Sequence, residues 1–155
     1  MLASRQHRFL AGPTKHLKQP EQQIHKKVCA YLRKEYPHVI FRTDGAGLHL
    51  SITQATTFKS MQSCGGWPDL QILAPRKGYH GMFLELKDEG TAIYLKKPGT
   101  DGQRVLVADL HIREQASTIR RLNKEGWFAR FAVGYDAAVR FIDWYFDKPQ
   151  TKTMF

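Results

Sequence analysis

The sequence predicts an α/β fold whose elements follow the order α-β-β-β-α-β-α. Apolar residues recur with helical spacing in several segments, and shorter β-prone segments lie between these. Two of the β-prone segments, 69–74 and 81–87, flank a short turn-forming stretch and therefore predict a hairpin. The length of 155 residues fits a single domain that can bury a core.

The elements can be justified in order along the chain. The first predicted helix, 20–36, begins at Pro20 and ends before Pro37. A strand (39–43), a short helical segment (54–62) and the hairpin (69–87) follow it. The last three elements are a helix ended by Gly126 (111–124), a strand (127–133) and a helix capped by Asp136 (136–146). Residues 91–107 hold two β-prone pieces around a Pro- and Gly-containing stretch, which predicts a protruding ribbon. The expected organisation is a flexible basic arm at 1–19, one domain at 20–147 and a tail at 148–155.

The composition is strongly basic. With 24 Lys and Arg against 14 Asp and Glu, the formal net charge is +10, which is typical of a protein with a polyanionic partner such as nucleic acid. The alternative is that the charge serves only solubility. No apolar run approaches the roughly 18 residues of a membrane span, and the N-terminal residues lack the apolar segment of a secretory signal. The two cysteines match no metal-binding spacing, so we expect free thiols in the cytoplasm and no membrane contact.

The hairpin brings charged side chains to one face of the sheet. A loop centred on Lys77 places Asp69 opposite Glu85, and the alternation of side chains puts Lys87 on the same face. Like charges in opposite positions destabilise a sheet, so Lys87 and a divalent cation would both offset the repulsion. Oxygen ligation by one or two carboxylates suits Mg²⁺ or Mn²⁺. The alternative is an exposed strand end with a Glu85–Lys87 ion pair, but Pro68 and the apolar neighbours of Glu85 favour a rigid, covered position.

These residues form a recognisable signature. Gly66-Trp67-Pro68-Asp69 followed by Phe83-Leu84-Glu85-Leu86-Lys87 closely resembles the Pro-Asp…Glu-x-Lys signature of the PD-(D/E)XK nuclease superfamily. With Glu21 on the preceding helix and Gln115 on the following one, residues 21–144 resemble the VRR-NUC branch, the virus-type replication-repair nucleases. The resemblance implies a restriction-endonuclease-like α-β-β-β-α-β core with a mixed central sheet flanked by helices. The ribbon is a departure, because it is longer than the compact connection associated with the family.

The resemblance also implies a catalytic and metal-binding set: Asp69, Glu85, Leu86, Lys87, Glu21 and Gln115. The two strand carboxylates and the backbone carbonyl of Leu86 would hold the cation, while Lys87 would orient or help deprotonate the attacking water and add positive charge. Glu21 would bind a second ion or hold a water molecule. Both Glu21 and Gln115 lie on otherwise apolar helix stripes, and each has a simpler interpretation. Glu21 could be a first-turn carboxylate favoured by the helix dipole, and Gln115 could bond the backbone near a helix start.

The implied activity is metal-dependent, structure-selective cleavage of DNA in replication, repair or recombination, with the resolution of Holliday junctions by a homodimer as one candidate form. No small-molecule cofactor is expected. Basic residues outside the site would bind the DNA backbone irrespective of sequence: Lys26, Lys27, Arg33, Arg76, Lys77, Lys96, Lys97, Arg120 and Arg121. The aromatic residues of the last helix could form a dimer surface or an ordinary core stripe. Two rival functions remain open, a catalytically inactive DNA- or junction-binding module of the same fold and a nuclease directed at RNA.

Overall fold

The structure, a computed structural model, describes residues 20–44 and 51–148. Eight helices and strands follow one another in this part of the chain. In chain order they are α1 (Pro20–Glu35), β1 (Phe41–Thr43), α2 (Ile52–Ser60), β2 (Leu70–Ile72), β3 (Met82–Lys87), α3 (Leu110–Lys124), β4 (Phe128–Val133) and α4 (Tyr135–Tyr145). The predicted arm at 1–19 and residues 149–155 of the predicted tail lie outside the described residues. No helix among the described residues is both long and apolar enough to span a membrane.

The four strands form one mixed sheet in the order β1-β2-β3-β4. The β1–β2 and β2–β3 pairs are antiparallel, whereas β3 and β4 are parallel and are connected through α3. Every residue of β3 is buried, because this strand lies inside the sheet with helices on both sides. The α/β class, the mixed sheet and the flanking helices predicted from the sequence are therefore confirmed.

The two faces of the sheet have different partners. One face packs against α1 and α4 and holds the larger core, which includes Val28 and Leu32 of α1, Ile142 and Tyr145 of α4, and the alternate apolar residues of β2 and β3. The opposite face packs against α3 through a smaller cluster of apolar residues centred on Phe83, Ile119 and Ala129, with Trp67, Leu122, Trp127 and Phe131 at its edge. The predicted alternation along the hairpin is thus correct. Asp69, Glu85 and Lys87 lie at the alternate positions, which face away from the larger core.

The hairpin register is as predicted, although its turn is built differently. Ile72 pairs with Met82, but the turn is centred between Lys77 and Gly78, both with positive φ, and is closed by a bridge between Arg76 and Tyr79. An extra residue in 73–75 compensates for this offset. The hydroxyl of Tyr145 donates to the Ala74 carbonyl (2.9 Å) and accepts from the Arg76 N–H (3.2 Å), so it pairs backbone groups that the irregular segment cannot pair itself.

Two helix starts differ from the prediction because of their caps. α2 begins at Ile52 rather than 54, since Ser51 and Gln54 form a reciprocal capping box. Asp136 does not cap α4. The N-cap is Gly134, and Asp136 lies in the first turn, where the helix dipole favours a carboxylate.

Residues 91–107 contain one antiparallel bridge, between Tyr94 and Leu106, and no named strand. Backbone hydrogen bonds from Leu95 to Val105 (2.8 Å) and from Val107 to Ile93 (3.1 Å) hold the two sides together. Lys148, assigned to the tail from the sequence, is fixed to the domain: its Nζ donates to Glu35 Oε2 at 2.8 Å and to the Tyr31 hydroxyl at 3.0 Å.

Candidate active site

The turn before β2 positions Asp69. Gly66 has φ +63 and lies so close to α3 that a Cβ atom there would be 2.6 Å from the backbone nitrogen of Gln115. The carbonyl of Gly65 accepts a hydrogen bond from Thr118 of the same helix at 2.7 Å. Trp67 then packs edge-on against Phe83. The glycines are needed because the turn contacts α3 through its backbone, and this contact places Asp69 beside the N-terminal half of the helix.

The carboxylate of Asp69 is held by the strand opposite it. Its Oδ2 accepts a hydrogen bond from the Leu86 N–H at 2.8 Å, and its backbone carbonyl accepts one from the Asp44 N–H at 2.7 Å. His25 of α1 approaches the same carboxylate, with Nε2 3.4 Å from Oδ2. Asp69 is 6% exposed, so it is a buried carboxylate held by a backbone donor, with the His25 ring close by.

Glu85 and Lys87 lie two residues apart on β3, and their side chains are in buried contact. Lys87 Nζ is 3.0 Å from Glu85 Oε1, and the two residues are 7% and 1% exposed. The other carboxylate oxygen of Glu85, Oε2, is buried and has no hydrogen-bond partner. Burial, and secondarily the negative charge of Asp69, raise the pKa of Glu85 to about 8 although Lys87 opposes the shift. Burial acts to lower the pKa of Lys87, but the carboxylates around it, chiefly Glu85, hold it above its ordinary value.

The side chain of Gln115, on α3, also reaches Glu85. Its Nε2 donates to Glu85 Oε1 and lies 3.0 Å from Nε2 of His111, one helical turn earlier. Gln115 is 4% exposed, and its Oε1 has no hydrogen-bond partner. Its side chain therefore does not bond the backbone of the helix start, which was the simpler interpretation of the sequence. The site thus contains two buried, unpaired oxygen atoms, one on Glu85 and one on Gln115.

Glu21 approaches the site from the first turn of α1. Its Oε1 is 3.9 Å from Lys87 Nζ, so the structure brings it to the side of the site that Lys87 occupies. Its side chain is 52% exposed, whereas the sequence pattern placed it on the buried stripe. The difference arises because Glu21 lies at the very start of the helix, before the stripe reaches the buried residues Val28 and Leu32.

The oxygen atoms at this end of the sheet fit a hard divalent cation. The Lys87 carbonyl accepts from the Gly134 N–H of the β4 side at 2.8 Å, and successive carbonyls of a strand point in opposite directions. The Leu86 carbonyl therefore points toward Asp69, as its N–H does. Two carboxylates and one carbonyl suit Mg²⁺ or Mn²⁺, which keep water or phosphate in their other positions. In the described ranges no three or more His, Cys, Asp or Glu side chains are grouped closely enough to hold a metal.

A comparison with solved structures finds a similar protein. A chain described as a VRR_NUC domain protein superimposes on this one with a TM-score of 0.54 and 26% sequence identity, over 83% of this chain and 89% of the other. The protein has a VRR-NUC-like fold. This similarity supports a nuclease-type domain, in agreement with the motif. No family model matches the sequence, and no curated protein matches it either.

The predicted DNA-binding residues lie on several sides of the VRR-NUC-like fold. Lys26 and Lys27 are exposed on α1 directly after His25. Arg120 and Arg121 are exposed on α3, and Lys96 and Lys97 are exposed in the 91–107 ribbon. These six residues are exposed on α1, α3 and the 91–107 ribbon, where a polyanion could contact them.

The other three predicted basic residues are farther from the site or engaged elsewhere. Arg33 lies over the ring of Phe41, with 5.8 Å between its guanidinium and the ring centroid. Arg76 and Lys77 belong to the hairpin turn, beyond the end of β3 opposite to Lys87. Lys77 forms an ion pair with Asp147, and the Arg76 guanidinium lies 5.6 Å from the ring centroid of Phe146.

Two histidines beside the candidate site do not follow from the motif. His25 lies four residues after Glu21 on α1, and His111 lies four residues before Gln115 on α3. Residues four apart share a face of a helix, so each histidine could have been inferred from the neighbour already assigned to the site. A histidine on a helix is too common to suggest this alone.

Proposed function

We propose that the protein is a DNA endonuclease that depends on Mg²⁺ or Mn²⁺ and hydrolyses phosphodiester bonds at Asp69, Glu85 and Lys87. The observation that carries this proposal is the buried, unpaired Oε2 of Glu85 on the face shared with Asp69. A buried carboxylate oxygen without a partner costs the fold free energy. A divalent cation between the two carboxylates would remove that cost.

Each residue of the proposed site has a separate role. Asp69 is held in place by the Leu86 N–H, and Glu85 is held by Gln115 and Lys87. Lys87 carries up to three N–H donors on its ammonium group, so it can orient a water molecule and offset negative charge on the phosphate. When bound, the cation supplies positive charge to the phosphate oxygens and lowers the pKa of water. Glu21, at the exposed rim, is placed to hold a second water molecule or ion.

The experiment is a cleavage assay on a panel of four-way junction, flap, nicked, duplex and single-stranded DNA, with RNA substrates in parallel. Cleavage is expected with Mg²⁺ or Mn²⁺ and not in excess EDTA. Asp69→Asn should abolish it, whereas Asp136→Asn, which removes the same charge from the exposed start of α4, should not. Undiminished cleavage in EDTA, or by Asp69→Asn, would contradict the proposal.

The main alternative is a DNA- or junction-binding module without activity. The net charge of +10 is equally compatible with both functions. The buried Lys87 beside two carboxylates favours the enzyme, because binding the DNA backbone requires exposed cations and not a buried lysine. Binding of junction DNA without cleavage under any divalent cation would support the module instead.

We further propose that the active form is a homodimer that acts on branched DNA, since a two-fold dimer supplies the two symmetric sites that junction resolution needs. Of the aromatic residues of α4, Tyr145 is buried in the core, whereas Trp144 is 44% exposed and is the candidate contact. Light scattering at micromolar concentration tests this. A strict monomer that cuts flaps or nicked duplex would retain the nuclease and exclude the dimeric resolving enzyme.

A further inference from the structure

A second concave surface lies beside the candidate active site. It is a groove of about 770 Å³ between the 91–107 ribbon, the second half of β4 and the first half of α4. Its lining residues include three cations and three aromatic side chains, and none of the described residues that line it is acidic: Lys96, Arg104, Arg140, Tyr94, Phe131 and Phe141. This volume is within the usual range for ligand sites. The groove is therefore a basic, partly aromatic surface whose volume is typical of a ligand-binding site.

The groove is adjacent to the catalytic strand. Phe131 and Val133, which line it, are the β4 partners of Glu85 and Lys87 in the parallel β3–β4 pair. Neighbouring strands are about 4.8 Å apart. The β4 wall of the groove is thus about one strand spacing from the backbone of β3, the strand that carries Glu85 and Lys87.

The ribbon holds one of the three cationic side chains in place before any ligand binds. The guanidinium of Arg104 lies over the ring of Tyr94, 4.6 Å from its centroid. Tyr94 is bridged to Leu106, so Arg104 occupies the diagonal position on the same side of the ribbon. A stacked arginine keeps its N–H groups free for phosphate oxygens and loses little conformational entropy when it binds them. Among the residues that the structure describes, no carboxylate forms an ion pair with Arg104, Arg140 or Lys96.

We infer that this groove binds the sugar–phosphate backbone of the DNA strand that flanks the cleaved bond, with Arg104 and Arg140 contacting phosphates. The inference rests on the proposed function and adds a binding surface to it. Three unpaired cations repel one another, and a polyanion removes that repulsion. Such contacts position the strand over the catalytic residues irrespective of base sequence. Arg104 and Arg140 were not among the basic residues expected from the sequence to bind DNA.

The test measures binding rather than cleavage. Fluorescence anisotropy with labelled duplex and single-stranded DNA, in EDTA and over a range of salt concentrations, gives affinity and its salt dependence. Each lost phosphate contact should reduce the log–log salt slope by about 0.9 and, at 0.1 M salt, weaken binding about eightfold relative to a 1 M reference. The double variant Arg104→Gln/Arg140→Gln should therefore bind roughly 60-fold more weakly at 0.1 M. Lys96→Gln, a single change in the ribbon, should give the eightfold effect.

The matched control is Lys34→Gln/Lys124→Gln, which removes the same number of charges. Lys34 lies near the end of α1, about 20 Å along the helix from Glu21, and Lys124 is the last residue of α3. The control should keep most of the salt slope, and thermal unfolding of all variants verifies that they are folded.

The outcomes distinguish this inference from the proposed function. If groove and control variants lose affinity equally, only net charge matters and the groove inference is wrong, even though the wild type cleaves DNA. If the groove variants alone lose affinity, the inference holds, whether or not the wild type cleaves. If the wild type binds no DNA, both the inference and the proposed function fail.

Discussion

The raised pKa of Glu85 predicts that replacing this residue stabilises the cation-free protein. Burial and Asp69 keep Glu85 protonated in the fold up to about pH 8, whereas in the unfolded chain it ionises near 4.5. The folded state therefore binds more protons across this window, and its stability falls as pH rises from 4.5 to 8. Each pH unit costs about 1.4 kcal/mol, which amounts to about 3 kcal/mol at pH 7.

Glu85→Gln keeps the shape and removes the titration. In EDTA the variant should match the wild type near pH 4.5 and exceed it by about 3 kcal/mol at pH 7, or roughly 6–12 °C in Tm for a chain of this length. Thermal unfolding at several pH values measures the difference. Glu35→Gln is the control of opposite sign, because Lys148 lowers the pKa of Glu35, so its loss should destabilise at neutral pH. Mg²⁺ should stabilise the wild type and not the Glu85→Gln variant.

The reasoning would be refuted if the stability difference between Glu85→Gln and the wild type did not change with pH. A destabilised variant at pH 8 in EDTA would refute it as well. Either result would mean that the buried carboxylate is compensated within the fold, and the case for a cation between Asp69 and Glu85 would lose its physical basis.

Three further predictions concern single residues. Lys87→Met should lower the cleavage rate by about 10²–10³, the loss typical of one charged donor at a reacting centre, while Lys34→Met, at the exposed end of α1, should not. Gly66→Ala should reduce Tm more than Gly78→Ala, because both glycines have positive φ but only at Gly66 does an added Cβ meet the α3 backbone. Tyr145→Phe should destabilise by about 1–3 kcal/mol, or about 2–12 °C in Tm, since the Ala74 carbonyl and the Arg76 N–H lose their partner.

The proximity of Asp69 and Glu85 could be predicted because the side chains of a strand alternate with a period of two and the hairpin fixes the pairing. Once residues 69–74 and 81–87 are taken as a hairpin, the apolar alternation excludes any pairing shifted by one residue, and a loop centred on Lys77 selects the register that pairs Ile72 with Met82 and puts Asp69 beside Glu85. The predicted register is correct although the assumed turn was wrong, because the extra residue in 73–75 offsets the shifted turn. The extra residue in 73–75 and the turn offset leave no trace in that alternation.

The other features depend on contacts between distant segments, which one sequence does not encode locally. The groove forms only because the 91–107 ribbon approaches β4 and α4, so Arg104 and Arg140 are separated by 36 positions in the sequence and are nevertheless on one surface. The pairing of Tyr145 with the irregular hairpin segment is similar, since it connects residues about 70 positions apart. Helical spacing predicted that Tyr145 faces either the core or a partner, and only the fold decides for the core.

The distribution of unpaired atoms is the strongest structural argument for a working site. Tyr145 and Asn123 illustrate how the described fold supplies partners for backbone groups that the sheet does not pair: Asn123 bonds both the N–H and the carbonyl of Ala129 on β4. In the same described part of the chain, the buried side-chain oxygens without a partner are Glu85 Oε2 and Gln115 Oε1, and their two side chains are hydrogen-bonded to each other. Two such atoms in one place cost stability that a purely structural core would avoid. These two open oxygen atoms support the proposed cation, because carboxylate and amide oxygens are ligands that hard divalent cations take.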